Sequence, residues 1–487
     1  MRKDINYLAR FFVVLLISGS AFAATVVPTA QSVPGEVLVM IQTGASSNDI
    51  ASLEQSAGVD HGEQISKLKS GTIWRLHSAS LPTDALTSAL QRNPNIVYVE
   101  PNYILHLVDV PNDPSYPQLW GLKNTGQTIS GSPGIAGADI SAEAAWSVTT
   151  GSSTIVVGVV DTGVDYTHPD LAANIWSNPG GKGNVLCAAG THGFNAITNT
   201  CDPRDDHYHG THVSGTIGAV GNNALGVVGV NWTTSIMALK FLDASGSGTT
   251  AGAITAIDFA VQAKIDGVNV RILSNSWGGG GFSKALLDEI NKANENDILF
   301  VAAAGNDAVS NDTSPHYPAN YSTPNMISVA ATDNRDALAS FSDFGATSVH
   351  LGAPGVNVLS CYPGGSYIYL SGTSMATPHV AGVAALVLAK TPGLTTAQVK
   401  SAILTNTDPI SSLSGKTITG GRLNAAKAVG APLGPDFSLL VSPVTRNVGQ
   451  GGSTTYTVTI TPSNGFTGPV SLAVTGLPAG ASGTFNP

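Results

Sequence analysis

The central part of the chain, residues 111–430, predicts an α/β fold: a doubly wound, mainly parallel sheet with helices on both faces. Residues 154–160 form an uninterrupted apolar run, which is typical of a strand buried on both faces. Further apolar segments alternate with helical stretches, as expected of repeated βαβ units. Sites in such sheets form beyond the carboxyl ends of the strands, so polar residues at those positions are the candidates for function.

The strands and helices of this part can be assigned in order. We predict strands at residues 154–160, 235–241, 268–274, 298–304 and 326–331. We predict helices at residues 250–266, 283–294 and 374–390.

Two smaller segments flank the central part. Residues 24–110 predict a small α+β domain, with strands at 36–41, 73–76 and 96–100 and helices at 48–57 and 83–91. Residues 436–487 are rich in Ser, Thr, Gly and Pro, and alternating segments predict antiparallel strands at 453–460 and 470–474. Because a two-sheet sandwich needs about 100 residues, this end predicts only a partial β-sandwich-like domain.

The N-terminus predicts a signal peptide at residues 1–23. Basic residues precede a short apolar run at 11–17, and Ala21-Phe-Ala23 has the small-residue pattern of a cleavage site. A short membrane anchor is the alternative, but the run is too short to span a bilayer. No later segment is long and apolar enough to span a membrane, so we expect a secreted, extracellular protein.

Composition excludes some functions. The formal net charge of -10 argues against nucleic-acid binding. The 3 cysteines are too few for a disulfide scaffold, although one pair is possible and export permits it.

Ser374 lies where a loop of small residues meets an apolar helix, within residues 371–382 (SGTSMATPHVAG). This position exposes a hydroxyl at a helix N-terminus, where backbone N–H groups favour developing negative charge. An ordinary helix cap is the alternative interpretation.

Three further residues complete a possible reaction site. Asp161 ends the first buried strand, His209 begins a helix of small residues, and Asn306 follows another buried strand. Each has a simpler interpretation: Asp161 and Asn306 suit turns, and three histidines within residues 207–212 also permit a zinc site.

Together these residues predict acyl-transfer chemistry. Ser374 would attack a carbonyl, His209 would take and return the proton, and Asp161 would orient the imidazole. Asn306 and the backbone N–H of Ser374 would bind the oxyanion.

Three motifs in this chain resemble the signature motifs of the subtilisin-like serine peptidases: DTG at 161–163, HGTHV at 209–213 and GTSMATPHVAG at 372–382. The order Asp, His, Ser is also that family's. The resemblance covers roughly residues 112–428. It implies a subtilisin-like fold, a serine-type endopeptidase and the catalytic roles given above.

The resemblance also implies how substrate binds and how the enzyme matures. Two segments match those that line the specificity pocket and pair with an extended substrate: Ser276, Trp277, Gly278, Ala303, Ala304 and Gly305. Residues 34–106, especially 97–102 (VYVEPN), resemble an inhibitory prodomain that also aids folding. This implies a zymogen that cuts itself near residues 106–112. We expect a monomer.

A structural calcium site is implied by the loop at 221–227 (GNNALGV). The resemblance implies oxygen ligands from Asp113, Asp170, Gly221, Asn223, Leu225 and Val227. A glycine-rich turn without metal is the alternative.

Several positions depart from the family pattern. Tyr208 replaces a small residue before the catalytic histidine, and His316 aligns with the floor of the specificity pocket, where it would favour acidic or polar groups. An insertion carries Cys187 and Cys201, which we expect to form the disulfide, leaving Cys361 as a buried free thiol. The C-terminal segment resembles immunoglobulin-like repeats with the later strands missing.

Other functions remain open from sequence alone. An inactive relative that binds through its C-terminal domain is one, and a metal hydrolase using His207, His209 and His212 is another. A sedolisin-type enzyme would carry glutamate in place of the histidine. A serine-directed phosphonate distinguishes the peptidase from the first two.

Overall fold

The computed structural model describes residues 32–42, 58–91, 93–103, 110–180, 187–431, 436–442, 446–449, 452–463, 470, 472, 474, 477 and 481–486. The predicted signal peptide at 1–23 and the predicted helix at 48–57 lie outside these residues. The chain divides into two compact units. One is residues 108–431, and the other combines residues 1–107 with 432–487.

The N-terminal segment forms an antiparallel sheet with a helix on it. Its elements are β1 (Ser32–Gln42), β2 (His61–Leu68), β3 (Gly71–His77), α1 (Thr83–Leu90) and β4 (Ile96–Tyr103). The strand order is β2-β3-β1-β4, and Leu86 and Leu90 of α1 pack against Val37, Val39 and Leu76. The three strands and the helix predicted within these described residues are confirmed.

Strand β2 was not predicted because its sequence has no apolar face. Its large apolar residues, Ile65 and Leu68, are both exposed. The strand lies at the sheet edge and is held by pairing with β3.

The larger unit is built on parallel strands with helices between them. Its strands are β5 (Thr128–Ile129), β6 (Ser132–Pro133), β7 (Gly151–Asp161), β8 (Gly193–Asn195), β9 (Thr233–Lys240), β10 (Val270–Asn275), β11 (Leu299–Ala303), β12 (Met326–Thr332), β13 (Leu351–Pro354), β14 (Val358–Tyr362), β15 (Ser366–Leu370), β16 (Asp408–Pro409) and β17 (Gly421–Arg422). Its helices are α2 (Ala142–Trp146), α3 (His209–Gly218), α4 (Thr250–Ile265), α5 (Lys284–Glu295), α6 (Thr373–Lys390), α7 (Thr396–Leu404) and α8 (Ala425–Ala428).

Within the described residues, one 9-stranded sheet has the order β16-β17-β13-β12-β11-β10-β7-β9-β8. Its neighbouring strands are parallel except for β16 and β17. The α/β fold and the five predicted strands are therefore confirmed, with small shifts at their ends. The strands that were not predicted, such as β8 and β13, are too short to give a clear apolar pattern.

Helix α6 passes through the core of the larger unit. Nearly all of its residues are buried, and it packs against β7, β10, β11, β12 and β13. A helix that is apolar all round is expected to be buried in this way. This burial fixes its N-terminus, where Ser374 lies, relative to the sheet.

The parallel strands also bring separate parts of the sequence to one edge of the sheet. Strands β7 and β11 end at Asp161 and Ala303, and both are parallel to β10 between them. Helix α3 begins against the end of β7. A Cβ atom on Gly210 would lie 2.1 Å from the Gly163 carbonyl oxygen, so a glycine is required at this contact.

The C-terminal segment contains an antiparallel pair, β18 (Asp436–Ser442) and β19 (Thr457–Ser463). Strand β19 corresponds to the strand predicted at 453–460. The strand predicted at 470–474 is not seen at Val470, Leu472 and Val474, which are those of its residues that the structure describes.

The expected disulfide joins Cys187 to Cys201, and Cys361 is free and buried. Burial raises the pKa of the Cys361 thiol, which keeps it un-ionised and unreactive. Among the described residues, no helix has the length and apolar character needed to cross a membrane.

Candidate active site

Asp161 and His209 form a hydrogen-bonded pair, in which Asp161 is buried and His209 is partly exposed. His209 Nδ1 lies 2.8 Å from Asp161 Oδ1 and 3.0 Å from Oδ2, and the Asp161 side chain is fully buried. The backbone N–H of Thr162 donates a further hydrogen bond of 2.7 Å to Oδ1. Because an ionised carboxylate only accepts, Nδ1 carries the ring hydrogen and Nε2 keeps its lone pair. His209 is thereby oriented as a base.

The pKa of His209 reflects two opposing effects. Burial lowers it, but the negative charge of Asp161 and its hydrogen bond raise it, with a further contribution from Asp205. The net result is a pKa above the ordinary value of histidine. The imidazole is therefore well suited to take a proton in this site.

Asp205 holds the first turn of α3 in place, and the sequence did not indicate this role. Its two carboxylate oxygens accept hydrogen bonds from the Thr162 hydroxyl, the His207 N–H, and both the N–H and hydroxyl of Thr211. The Thr162 hydroxyl in turn accepts from the N–H of Gly210. These hydrogen bonds therefore join the end of β7, which carries Asp161, to the start of α3, which carries His209. The run of polar residues before His209 is the signal for this role in the sequence.

Ser374 is the second residue of α6 and is partly exposed. Its Oγ donates a hydrogen bond of 3.0 Å to the carbonyl of Ser276, and the Ser276 hydroxyl donates one of 2.9 Å to the carbonyl of Ser374. Within the described residues, no hydrogen bond joins Ser374 Oγ to His209. Catalytic hydrogen bonds often form only once substrate is bound, and rotation about the Cα–Cβ bond redirects Oγ.

The Asn306 amide nitrogen and the backbone nitrogen of Ser374 lie close to one point beside Gly372. A Cβ atom placed on Gly372 would lie 3.5 Å from the Ser374 nitrogen and 3.8 Å from Asn306 Nδ2. The amide oxygen of Asn306 accepts from the N–H of Thr373 at 2.8 Å and from its hydroxyl at 3.0 Å. Thr373 therefore holds the amide oxygen of Asn306, and this leaves the N–H₂ group free to donate elsewhere. Sequence reasoning had not singled out Thr373.

The other histidines near the site have structural roles. His212 Nε2 lies 3.1 Å from the carbonyl oxygens of Val358 and Ile368, and burial, with the nearby His209, lowers its pKa to about 3. His379 hydrogen-bonds a carbonyl within its own helix, and burial lowers its pKa to about 4. Among the described residues, no metal-ligand cluster forms from His207, His209 and His212.

The two predicted substrate-binding segments follow β10 and include the end of β11. Ser276 and Ala303 are almost fully buried, Ala304 is fully buried, and Gly278 is exposed. Among the described residues, the backbone groups of Trp277 and Gly278 make no hydrogen bonds, so they are available to an extended chain. The Trp277 ring packs edge-on against Phe241, with ring centroids 4.8 Å apart.

The two departures from the family pattern lie next to these segments. A Cβ atom on Gly278 would be 2.0 Å from His316 Nε2, and one on Gly305 would be 3.0 Å from His316 Nδ1. The ring therefore lies between the two glycines. Tyr208 stacks on Tyr362, with ring centroids 5.6 Å apart, and on His207, with centroids 4.0 Å apart.

Two buried carboxylates organise the predicted calcium loop. Asp113 accepts from the N–H groups of Asn222 and Asn223, and Asp170 accepts from Asn223 Nδ2 and from the N–H of Val227. Burial raises the pKa of both carboxyl groups. A bound cation would offset this cost of burying two negative charges near each other.

The other donor atoms of this loop also suit a calcium ion. Among the described residues, the carbonyls of Gly221, Leu225 and Val227 accept no hydrogen bond. Carbonyl and carboxylate oxygens are the ligands that calcium prefers. Asn223 presents its amide nitrogen to Asp170, so calcium binding requires the amide to turn its oxygen inward.

Comparison with known proteins identifies the family. Residues 152–438 match the Subtilase family, and residues 18–102 match the fervidolysin N-terminal prodomain. The chain belongs to the subtilase family of serine peptidases and carries an N-terminal prodomain.

Individual relatives agree with this assignment. The chain is 35% identical over 399 residues to a thermophilic serine proteinase of Bacillus sp. strain AK1, covering 82% of this chain and 88% of that protein. It is 38% identical over 290 residues to thermitase of Thermoactinomyces vulgaris, covering 60% of this chain and 93% of thermitase. A solved protease structure from Pseudoalteromonas arctica matches with a TM-score of 0.53 and 29% identity, covering 66% of this chain and 100% of that one.

The raised pKa of His209 gives a direct test of its contact with Asp161. In a Ser374→Ala protein, we expect the His209 ring to titrate above the ordinary value of about 6.5. Protonation of His209 then stabilises the fold, and this contribution is complete below the unfolded pKa and lost as pH rises through the folded pKa. Ring signals followed by NMR against pH measure it.

Asp161→Asn should move this midpoint below the ordinary value, because burial is then opposed only by the smaller contribution of Asp205. His379 is an internal control, since its ring should stay neutral until the pH falls to about 4. An unchanged His209 midpoint in Asp161→Asn would contradict the interpretation.

Proposed function

We propose that this subtilase is a secreted serine endopeptidase that cleaves proteins through an acyl-enzyme, with Asp161, His209 and Ser374 as its catalytic triad. The observation that carries the proposal is the hydrogen-bonded Asp161–His209 pair, with Nδ1 2.8 Å from the carboxylate and Nε2 left as the base. The family motif around Ser374 and its position at the start of α6 support the nucleophile.

In the first step, Ser374 Oγ leaves its hydrogen bond with Ser276 and turns toward His209. His209 Nε2 takes the hydroxyl proton as Oγ attacks the substrate carbonyl. Asp161 stays ionised and stabilises the imidazolium that forms. His209 then returns the proton to the leaving amine, and water repeats the sequence to release the acyl group.

Negative charge develops on the carbonyl oxygen during each attack. We place this oxygen near Asn306 Nδ2 and the Ser374 N–H, because both nitrogens lie close to one point beside Gly372. Because Thr373 already holds the Asn306 amide, the donors need no reorganisation when charge appears. The N-terminus of α6 adds to the favourable field.

The substrate is an extended polypeptide. The free backbone groups of Trp277 and Gly278 would pair with it as an added strand, and Ala303, Ala304 and Gly305 would form the opposite wall of the pocket. His316, between Gly278 and Gly305, limits the depth of that pocket. We propose that it favours polar or acidic side chains there.

The domain organisation that we propose follows from this function. A signal peptide at 1–23 directs secretion, a prodomain at 24–110 inhibits the enzyme and aids folding, and the peptidase domain spans 111–430. The enzyme cuts itself near residues 106–112. A partial immunoglobulin-like domain occupies residues 436–487.

Calcium is the structural cofactor of the peptidase domain in this proposal. Asp113, Asp170 and Asn223 would hold it with side-chain oxygens, together with the carbonyls of Gly221, Leu225 and Val227. When bound, it supplies positive charge that offsets the buried carboxylates and ties residues near Asp113 to the loop. It takes no part in the reaction.

Replacement of the nucleophile is the main test. We expect Ser374→Ala to lower kcat for a peptide substrate by about 10⁶, the size of the loss found in subtilisin itself. The variant should also remain uncut and fail to react with a serine-directed phosphonate. Ser371→Ala, three residues away, should keep labelling and processing, because its hydroxyl only accepts from the Asn357 N–H. Full activity in Ser374→Ala would refute the mechanism.

Asn306→Ala tests the oxyanion site separately. We expect kcat to fall by about 10²–10³ with little change in KM, because the donor acts mainly in the transition state; the size is that known for subtilisin. Thr373→Val should have a smaller effect in the same direction, since the Asn306 amide keeps its hydrogen bond from the backbone N–H of residue 373 but loses the one from the Thr373 hydroxyl. Steady-state kinetics measure both. A change confined to KM would contradict the proposed role.

Calcium removal should destabilise the protein. For Ser374→Ala, which cannot digest itself, a calcium chelator should lower Tm, since a ligand at a hundred times its Kd contributes about 2.7 kcal/mol. Asp170→Asn should have a lower Tm that no longer responds to the chelator. Asp312→Asn, whose carboxylate binds Thr347 and Ser348, is the control and should keep the response. If the chelator leaves the Tm of Ser374→Ala unchanged, the proposed calcium site is excluded.

A further inference from the structure

A second group of polar side chains lies beside the specificity pocket and has no part in the reaction. Asp307, His316 and Asp343 each offer one ligand atom, and these atoms lie within 4.8 Å of one another. Asp307 is exposed, His316 is half-buried and Asp343 is fully buried. Among the described residues, this is the one group of three or more histidine, cysteine or acidic side chains placed closely enough to bind a metal.

The buried carboxylate of Asp343 has one oxygen without a partner. Its Oδ1 accepts from the N–H groups of Asp307 and Val309 at 2.9 and 3.0 Å. Its Oδ2 is buried and makes no hydrogen bond, although the residue is 0% exposed. An unpaired buried carboxylate oxygen is costly unless a positive charge or a donor meets it.

This oxygen points into the cluster. A Cβ atom on Gly305 would lie 2.1 Å from Asp343 Oδ2 and 3.0 Å from His316 Nδ1, so both atoms face the same side of the glycine. No hydrogen bond joins these two atoms in the described structure. The backbone of His316 is fixed, because its N–H donates to Asn320 and its carbonyl accepts from the Asn320 N–H.

We propose that Asp307, His316 and Asp343 form a binding site for a divalent cation of the zinc type. Two carboxylates and one imidazole match the oxygen and nitrogen ligands of zinc, whereas calcium does not favour imidazole. Three protein ligands leave a coordination position open, and the exposure of Asp307 gives an entry path from solvent.

Occupancy of this site would act on substrate binding. Asp343 also donates its N–H to the carbonyl of Gly305, and His316 lies against Gly278, so the ligands contact both walls of the pocket. A cation would fix the His316 ring and add positive charge beside Asn306. This consequence rests on the proposed function, whereas cation binding itself does not.

Zinc binding is measured on full-length Ser374→Ala protein, with excess calcium present to fill oxygen-only sites. Titration calorimetry should show one zinc ion per chain. X-ray absorption should show oxygen and nitrogen ligands at about 2.0–2.2 Å, at least one of them imidazole, and no sulfur. Because this protein cannot turn over substrate, the result does not depend on the proposed catalytic mechanism.

Asp343→Asn is the most direct test. Its Oδ1 can keep the hydrogen bonds from the N–H groups of Asp307 and Val309, while an amide nitrogen replaces the unpaired Oδ2. We expect zinc affinity to fall by about tenfold or more, and His316→Ala to have the same effect. His77→Ala is the control: it removes another histidine–carboxylate pair, with Asp60 at 2.6 Å, and should leave affinity unchanged. Melting curves without metal establish that each variant is folded.

The proposal is overturned if millimolar zinc does not bind, or if binding survives His316→Ala and Asp343→Asn. It is also overturned if His77→Ala abolishes binding, or if absorption shows no imidazole ligand. Should Asp343→Asn fail to fold, His316→Ala and the absorption spectrum decide the question.

Discussion

The hydrogen-bonded pair of Asp161 and His209 is the constraint on which the rest of the site depends. A carboxylate at 0% exposure is costly, and here it is met by the imidazole N–H and by the N–H of Thr162. These bonds require the end of β7 and the start of α3 to lie in contact. The glycine at 210 permits that approach, and Asp205 maintains it.

The side chains proposed to react are therefore positioned by neighbouring residues that have no proposed part in the reaction. Thr162 and Asp205 hold the pair, and Thr373 holds the Asn306 amide through two hydrogen bonds. Helix α6 is buried against five strands, and this packing fixes the position of Ser374 together with its two hydrogen bonds to Ser276. Rigid elements of this kind keep a site in its productive geometry and reduce the reorganisation needed during reaction.

Sequence alone predicted the parallel sheet and the family, because apolar runs such as 154–160 and the motifs around His209 and Ser374 are local signals. It did not predict β2, whose pairing depends on a neighbouring strand, or the contacts of Asp205 and Thr373, which join residues distant in sequence. The close approach of Asp343 to His316 was missed for the same reason. Such proximity is a property of the fold and leaves no pattern in either segment.

The hydrogen bond from Ser374 to the Ser276 carbonyl has a consequence for the idle enzyme. A backbone carbonyl accepts a hydrogen bond but is far too weak a base to remove the proton. In this state the Ser374 hydroxyl stays un-ionised and is a poor nucleophile. Reactivity then requires a side-chain rotation, and Ser276 belongs to the segment on which substrate is proposed to bind. Substrate binding and the release of Ser374 for reaction would therefore both involve Ser276.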